Sequence, residues 1–301
     1  MPDSLALPLT QAAEDRASFQ RYYEEAGPDY AAWSPRFNMH FGFFRPGMNP
    51  FHRESMLEQL NAEVLGRLHL DNPPIPSASV RILDMGCGLG ATLRSLAGRF
   101  PQADLHGITL VPWQLEQGRL LNQSSPQANR ITLSLGDYEN TAFSSGSFDA
   151  VYAIESSCYA HGANKSAFLR EAHRLLRPGG RIAVADGFLG PGKLRGPQRQ
   201  ICRKLCNCWA IDTLGHIEAF TLELERIGFR DIAVEQNQAR VAPSVLHVPW
   251  VTLKFLLTSV VFGQRKMTRA RWNNVLAPIL LPFVGYPIGP MAYYIVSATR
   301  S

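Results

Sequence analysis

Four residues near position 90 have types and a spacing that suit the binding of a small charged ligand. A short apolar run ends in Asp84, and Gly86, Gly88 and Gly90 follow it at every second position. Glycines let the backbone turn sharply and let a ligand approach the main chain closely. A helix that starts after them offers free N–H groups to an anion, whereas Asp84 attracts an ammonium group and repels a pyrophosphate. The spacing also differs from the Gly-x-Gly-x-x-Gly of dinucleotide-binding folds.

The elements that must position this loop alternate between short strands and helices. The sequence predicts strands over 80–85, 104–110, 131–135, 148–154, 181–185, 232–236 and 291–298. It predicts helices over 54–68, 91–100, 112–122, 164–176 and 198–228. Alternation at this pace is typical of βαβ units, so it indicates an α/β fold with a mostly parallel sheet.

The stretch from Asp84 to Gly90 resembles the first motif of the Rossmann-like class I methyltransferases, which use S-adenosylmethionine. Further landmarks of that family follow in order at 136–138, 148–151 and 175–180. The resemblance implies a seven-stranded sheet with helices on both faces, and S-adenosylmethionine as the cofactor. The residues that it places at the cofactor are Asp84, Gly86, Cys87, Gly88, Thr109, Leu110, Gln114, Gly136, Asp137, Tyr138, Tyr23 and Tyr30.

The second predicted strand ends without the acid that most of these enzymes use for the ribose hydroxyls. Thr109 and Gln114 stand in that region instead. This resembles the branch that contains sterol C-methyltransferases, tocopherol methyltransferases and cyclopropane fatty-acid synthases. In that branch both residues would contact the cofactor. A hydroxyl and an amide can each hydrogen-bond a ribose hydroxyl, so cofactor binding is still expected.

The segment 22–44 is unusually rich in aromatic residues, among them Tyr23, Tyr30 and Phe44. Helix packing would explain any one of them, but together they resemble the N-terminal lid of the same branch. There a Tyr pair and a His-x-Gly-aromatic element, here beginning at His40, fold over the sulfonium. Aromatic faces attract cations. We therefore predict His40 as a catalytic candidate and Phe44 as a substrate contact.

Glu155 follows the fourth predicted strand, at the edge where α/β sheets bind ligands. It resembles the Glu that sterol C-methyltransferases place there. Related enzymes usually carry a His four residues later, whereas this chain has Tyr159 there and His161 two residues further on. We predict Glu155 and His161 as catalytic candidates and Tyr159 at the substrate. The alternative for His161 is a loop histidine that faces solvent.

The segment 242–290 is rich in Pro, Trp, Leu and Phe, and no charged residue occurs over 273–299. A stretch this long could cross a bilayer, but prolines and glycines interrupt it and its end is needed as the last strand. We expect instead an apolar helical insertion that covers an apolar pocket or makes a peripheral membrane contact. Trp209 is a further predicted substrate contact. The predicted domains are a helical lid and substrate cap, 1–72, and a methyltransferase domain, 73–301.

The bulk composition argues against several classes of function. The chain has 301 residues, of which 46% are hydrophobic and only 18% are charged, and its formal charge is +5. No block of Lys and Arg interleaved with aromatic residues is present, which argues against nucleic acid as a partner. The five cysteines lack zinc-site spacing, and no Asp-rich motif predicts a metal. Residues 1–4 do not begin a signal peptide, so cytoplasmic residence is the default expectation.

The sequence as a whole predicts transfer of a methyl group from S-adenosylmethionine to a small lipophilic acceptor. Many aromatic residues and few candidate bases favour C-methylation of an isoprenoid alkene, because that reaction needs an apolar cavity around a cation and then a base. A prenyl diphosphate acceptor would suit the positive charge and would call for Mg²⁺. Two alternatives stay open: O- or N-methylation of a phenol, quinol, sugar or amine, and a non-catalytic cofactor-binding scaffold, which would predict a damaged glycine loop.

Overall fold

A seven-stranded sheet lies at the centre of the protein. The computed structural model describes residues 9–70, 79–124, 127–191, 194, 196–264, 266–285 and 287–301. The strands are β1 (Arg81–Met85), β2 (Asp104–Thr109), β3 (Ile131–Leu135), β4 (Phe148–Ile154), β5 (Leu176–Leu189), β6 (Phe229–Gln236) and β7 (Met291–Arg300). Their order is β3-β2-β1-β4-β5-β7-β6. Neighbours from β3 to β5 are parallel, and β7 is antiparallel to both β5 and β6. The predicted, mostly parallel seven-stranded sheet is confirmed.

Helices pack on both faces of this sheet, as predicted. In the described part of the chain they are α1 (Leu9–Ala26), α2 (Arg53–Gly66), α3 (Ala91–Arg99), α4 (Pro112–Gln123), α5 (Ser166–Leu175), α6 (Gly196–Cys208), α7 (Ile217–Ile227), α8 (Gln238–Val245), α9 (Val248–Phe255) and α10 (Arg269–Val284). Successive strand residues enter opposite cores, because side chains alternate along a strand. Ile82 packs in the core that includes α2 and α3, whereas Leu83 packs in the core that includes α5 and α7.

The direction in which the sheet is wound reverses at β1. The strands β2 and β3 lie on one side of it, and β4 and β5 lie on the other. At such a point the loops that follow two neighbouring strands separate and leave a crevice for ligands. The glycine loop follows β1 and Glu155 follows β4. The fold therefore brings these two predicted site features to the same edge of the sheet.

The predicted helix over 198–228 is wrong in its middle. The helix α6 ends at Cys208 and α7 begins at Ile217, so 209–216 forms an irregular turn between them. Ala210 in this turn has a φ of 55°, a left-handed conformation that does not continue a helix. Two successive amphipathic helices give nearly the same hydrophobic spacing as one, and no Pro marks this break. The strand β5 also continues to Leu189, beyond the predicted 181–185.

The apolar segment before β7 is helical, as predicted, and it comprises α8, α9, a π-helical turn (Leu256–Val261) and α10. Among the described residues, one helical run, Gln238–Val261, is long and apolar enough by length and composition to cross a membrane, and 17% of its 18-residue window is buried. The charge-free 273–299 is instead divided between α10 and β7. The predicted boundary between lid and methyltransferase domain, at 72–73, lies outside the described residues.

Lys165 is a completely buried ammonium that fastens the loop after β4 to the turn between α6 and α7. Its Nζ donates to the carbonyl oxygens of Cys158, Ala160 and Thr213, at 3.1, 2.7 and 2.6 Å. Burial lowers the pKa of Lys165, because the charged form loses its hydration. Three carbonyl acceptors offset that loss, so Lys165 stabilises the loop that carries Tyr159.

Replacing Lys165 by Met should lower the free energy of unfolding by about 3 kcal/mol or more, since three buried carbonyl groups lose their donor. Urea unfolding followed by circular dichroism would measure the change. The matched control is Lys204→Met on α6, where the side chain is exposed and the expected change is within about 0.5 kcal/mol. Equal stabilities of the two variants would contradict a structural role for Lys165.

Candidate active site

The glycine loop after β1 is a tight turn in which three glycines adopt conformations that other residues rarely take. The φ angles of Gly86, Gly88 and Gly90 are 103°, 51° and 76°. A Cβ on Gly86 would lie 2.4 Å from the Cβ of Ser156, so the space above this residue is already filled. The N–H groups of Gly86 and Cys87 both donate to the carbonyl oxygen of Ile108, at 3.0 Å. The loop is thus held against β2, with α3 beginning directly after it.

Asp84 lies at the end of β1 and is 3% exposed. Burial raises the pKa of this carboxyl group to about 7, and the neighbouring Tyr152 side chain opposes the rise. A carboxylate in such a place is costly to ionise unless a cation lies beside it. The chemistry of Asp84 therefore suits the ammonium group of an amino acid, such as the methionine part of S-adenosylmethionine.

Thr109 and Gln114 form a hydrogen-bonded pair where β2 gives way to α4. The Thr109 hydroxyl donates to Gln114 Oε1 over 2.6 Å and accepts from the N–H of Val111 over 3.2 Å. Both side chains are buried. The amide NH₂ of Gln114 keeps its two donor hydrogens, since its oxygen is the atom that accepts from Thr109. This pair can hydrogen-bond the hydroxyls of a ribose, as the resemblance implied.

A cavity of about 150 Å³ lies between the glycine loop, the end of β2 and the loop after β3. Tyr138, in the loop after β3, donates its hydroxyl hydrogen to the carbonyl oxygen of Ser156 at 2.8 Å. Of the twelve residues predicted at the cofactor, the lining includes Tyr23, Asp84, Gly86, Cys87, Gly88, Thr109, Leu110, Gln114, Gly136, Asp137 and Tyr138. Tyr30 lies elsewhere, in the wall of a second cavity. Eleven of the twelve residues, which are far apart in the sequence, therefore lie around one pocket, which we call the cofactor cavity.

The second cavity is larger, about 420 Å³, and its wall is mostly apolar. Side chains from the N-terminal region, from the turn after α6, and from α8, α9, α10 and β7 enclose it. The ionisable groups in its lining include Asp29, His40, Glu155 and Asp186, and no Lys or Arg of the described residues takes part. Of the predicted substrate contacts, Tyr159 and Trp209 line this acceptor cavity. Phe44 lines neither cavity; its N–H donates to the carbonyl oxygen of Arg240 instead.

The cofactor cavity and the acceptor cavity share one wall. Five residues line both, and these are Tyr23, Met39, His40, Glu155 and Tyr159. The hydroxyl groups of Tyr23 and Tyr159 are 2.9 Å apart and hydrogen-bonded to each other. A group transferred between ligands in the two cavities has to pass between these side chains, so the shared wall is where chemistry would take place.

Glu155 is the acid of the shared wall, and its carboxylate is held from two sides. Its Oε1 accepts from the N–H of Phe41 at 2.7 Å and from the hydroxyl of Tyr293 at 3.0 Å. Burial raises the pKa of Glu155 to about 8, and the Phe41 bond opposes the rise. The backbone of Glu155 also has a φ of 48°. Strain of this kind at a residue facing a cavity is a feature of functional positions.

The two predicted catalytic histidines lie in different surroundings. His40 is buried in the shared wall, and its Nδ1 is 2.7 Å from the carbonyl oxygen of Phe41. Because a carbonyl only accepts, Nδ1 carries the hydrogen and Nε2 carries the lone pair. Nε2 has no hydrogen-bond partner among the described residues, and burial lowers the pKa of His40. His40 is therefore a neutral imidazole with a basic nitrogen.

His161 lines the cofactor cavity but not the acceptor cavity. Its Nδ1 is hydrogen-bonded to a carboxylate oxygen of Glu139, whose other oxygen accepts from the His161 N–H at 3.0 Å. The Glu139 hydrogen bond raises the pKa of His161, which favours its charged form. The structure thus separates His161 from the shared wall and pairs it with an acid.

Sequence reasoning missed Tyr293 and Met39. Tyr293 lies on β7, and 138 positions separate it from Glu155, whose carboxylate it holds. Met39 is a member of the shared wall that precedes the predicted His40 by one residue. The sequence predicted residues 291–298 as the last strand, but only the sheet order shows that β7 adjoins β5 near the site. In the described residues, no cluster of three or more His, Cys, Asp or Glu side chains could hold a metal ion.

The chain is similar in sequence to known methyltransferases. Residues 82–180 match the family described as methyltransferase domain. The chain is 25% identical over 290 residues to a probable chloroplastic tocopherol O-methyltransferase from Oryza sativa, covering 93% of this chain and 76% of the relative. It is 26% identical over 239 residues to a sterol 24-C-methyltransferase from Yarrowia lipolytica, covering 79% and 58%.

The fold is also that of solved methyltransferases. One is a geranyl diphosphate C-methyltransferase from Streptomyces coelicolor, crystallised with Mg²⁺, geranyl-S-thiolodiphosphate and S-adenosyl-L-homocysteine. The TM-score is 0.71 at 14% identity, and the match covers 99% of this chain and 100% of that one. The protein is an S-adenosylmethionine-dependent methyltransferase with a Rossmann-like fold.

Replacing Gly86 by Ala should weaken the binding of S-adenosylhomocysteine by about a hundredfold or more, because the new methyl group displaces Ser156 and distorts the loop. Isothermal titration calorimetry would measure the affinity. The control is Gly47→Ala, since Gly47 has a similar φ of 93° but a Cβ added there would meet no atom within 4 Å. That variant carries the same backbone strain and should bind normally. Unchanged binding by Gly86→Ala would contradict the assignment of the cofactor cavity.

Proposed function

We propose that this methyltransferase methylates a carbon atom of a small, neutral, lipophilic acceptor of isoprenoid type. The observation that carries the proposal is the shared wall, where an apolar cavity of about 420 Å³ meets the cofactor cavity at aromatic side chains and one carboxylate. Cavities lined mainly by apolar groups, with a few placed polar atoms, select apolar ligands. A terpenoid alkene fits this description because only its reacting carbons need polar surroundings.

The charges around the acceptor cavity favour a neutral acceptor over a prenyl diphosphate. The charged groups that can form in its lining include the carboxylates of Asp29, Glu155 and Asp186, and among the described residues no Lys or Arg faces it. Arg271 lies nearby but is paired with Asp29, at 2.9 Å. Phosphate groups are bound in proteins by Arg, Lys, backbone N–H groups or a metal ion. A diphosphate in this cavity would lie near carboxylates instead.

The side chains of the shared wall can serve each stage of an alkene methylation. Bound S-adenosylmethionine supplies an electrophilic methyl group on a sulfonium. As the π electrons of the acceptor alkene form the new carbon–carbon bond, the sulfur–methyl bond would break and S-adenosylhomocysteine would leave. The neighbouring acceptor carbon would then carry the positive charge. The aromatic rings of Tyr23 and Tyr159, which line both cavities, would stabilise that charge. A carboxylate oxygen of Glu155 then removes a proton and the double bond is restored.

Two donors position Glu155 for this proton transfer. The Phe41 N–H and the Tyr293 hydroxyl both bond to Oε1. The described residues provide no partner for Oε2, so this oxygen is the one available to an acceptor. Because its pKa is about 8, Glu155 can accept a proton and release it to solvent near neutral pH.

A second candidate is O-methylation of a lipophilic phenol. The neutral imidazole of His40 favours it, because this side chain lines both cavities and is a second potential base of the shared wall beside Glu155. The likeness to a tocopherol O-methyltransferase over 93% of the chain supports it as well. The two candidates share the cofactor cavity and differ in the base, Glu155 or His40.

The nature of the acceptor can be tested by incubating the purified protein with methyl-labelled S-adenosylmethionine and separate pools of terpenoid, phenolic and amine compounds. We expect label in the neutral terpenoid pool, located on carbon by mass spectrometry of the product. Geranyl diphosphate should be a poorer acceptor than uncharged geraniol derivatives of the same chain length. Label confined to the phenolic or amine pool would refute C-methylation.

Replacing Glu155 by Gln should lower kcat for an alkene acceptor by about a hundred- to ten-thousandfold, because the proton acceptor is lost. In the unaltered enzyme, kcat should rise with pH until Glu155 is ionised, near pH 8. The matched control is His40→Gln, which should matter little for an alkene and greatly for a phenol. Binding of S-adenosylhomocysteine should persist in both variants, which shows that each is folded. Similar losses in both variants with an alkene would contradict the role of Glu155.

A further inference from the structure

The outer surface of the helices before β7 is strongly apolar. In the described part of the chain, ten of the fifteen exposed large hydrophobic side chains lie between Leu246 and Ile288. We call these ten side chains the outer apolar face. Patches of this kind on a soluble protein mark a site of interaction, and Trp side chains such as Trp250 and Trp272 are enriched where protein meets a bilayer interface.

The helix α9 and the turn after it carry apolar side chains on two opposite faces. Val248, Val251 and Phe255 line the acceptor cavity. Leu253 and Leu257, four residues apart, are 48% and 43% exposed on the outside. Residues three and four positions apart lie on the same side of a helix. A soluble helix normally has one polar side, so the second apolar side indicates a nonaqueous neighbour.

The helix α10 has the same two-sided character. Val275, Pro278 and Leu281 line the acceptor cavity, whereas Ile279 and Phe283 are 47% and 53% exposed. A single layer of helices therefore separates the acceptor cavity from the outer apolar face. At the edge of that layer the two surfaces join, because Leu246 and Ile288 line the cavity and are also 77% and 67% exposed.

The chain segment that forms this face carries only positive charges. No Asp or Glu occurs after Glu235 in the sequence. Lys254 on α9, Lys266 between α9 and α10, and Arg269 at the start of α10 are exposed. Lys and Arg near a membrane surface are attracted by anionic lipid headgroups, by about 1 kcal/mol for each residue. The combination of an apolar face and a basic border is typical of helices that lie in the plane of a membrane surface.

We propose that the outer apolar face docks on an anionic lipid bilayer, with α9 and α10 lying in its surface and the cavity opening between Leu246 and Ile288 facing the acyl chains. The use of this opening as the entrance for the acceptor rests on the proposed lipophilic substrate; docking itself does not. A spanning orientation is disfavoured because Pro243 lies inside α8 and because α8 and α9 supply the cavity wall.

A second copy of the chain is a poorer occupant of the outer apolar face than a bilayer. In a twofold contact each patch meets its own copy, so Lys254, Lys266 and Arg269 would face the same cations. An anionic bilayer instead satisfies the apolar side chains and the cations together.

Sedimentation of the full chain with lipid vesicles tests the proposal. We expect binding to phosphatidylcholine vesicles that contain phosphatidylglycerol, and weaker binding to phosphatidylcholine alone or in high salt. The double variant Leu253→Ser/Leu257→Ser should bind at least about tenfold more weakly, because two apolar side chains no longer enter the bilayer. Lys254→Gln should weaken binding to the anionic vesicles by about fivefold.

The matched control is Leu120→Ser/Leu222→Ser, which changes two exposed leucines on α4 and α7, 55% and 64% exposed, and should leave vesicle binding unchanged. Thermal unfolding would establish that both double variants are folded. Equal binding by the two double variants, or no binding by the unaltered chain, would overturn the proposal. So would a dimer in ultracentrifugation that Leu253→Ser/Leu257→Ser dissociates without any vesicle binding. Because no acceptor is present, vesicle binding can succeed even where isoprenoid methylation fails.

Discussion

The carboxylate of Glu155 is the point on which the arrangement of the site depends. A buried carboxyl group needs hydrogen bonds to replace its hydration. Here one donor, the Phe41 N–H, comes from the N-terminal region, and the other, the Tyr293 hydroxyl, comes from the last strand. The two ends of the chain therefore converge on the loop after β4. That convergence fixes one wall of the acceptor cavity against the cofactor cavity.

The features that the sequence predicted well are those that depend on residues close together in the chain. The turn from Asp84 to Gly90 combines a strand, an acid and three glycines within a few positions, so its location follows from local patterns alone. The order of strands and helices followed for the same reason, since each element has its own hydrophobic period. The break after Cys208 was missed because two helices in succession keep one period.

The features that the sequence could not predict are those that depend on distant contacts. Tyr293 reads as an ordinary strand residue until β7 is placed beside β5. Tyr30 and Phe44 were both grouped with the aromatic lid, yet Tyr30 lies in the acceptor cavity and Phe44 in neither cavity. Aromatic composition indicates that a lid exists, but the direction of each ring depends on backbone turns that leave no periodic signal.

The low content of charged residues also has a structural explanation. Only 18% of residues are charged, and the helices before β7 have apolar side chains toward the cavity as well as toward the outside. In most surface helices one of these two sides would carry the charges. The composition therefore reflects a cavity wall that is one helix thick.

The left-handed backbone of Glu155 has a consequence for how this position can change over time. A φ of 48° costs a residue with a Cβ about 1 kcal/mol or more, and a glycine almost nothing. Selection for a more stable fold would thus favour glycine at position 155, whereas selection for proton transfer would favour a carboxylic acid. A chain that kept its fold but lost its acceptor should drift toward glycine or asparagine at 155. Among descendants of this chain, a carboxylic acid retained at position 155 would therefore indicate that proton transfer at the shared wall is retained.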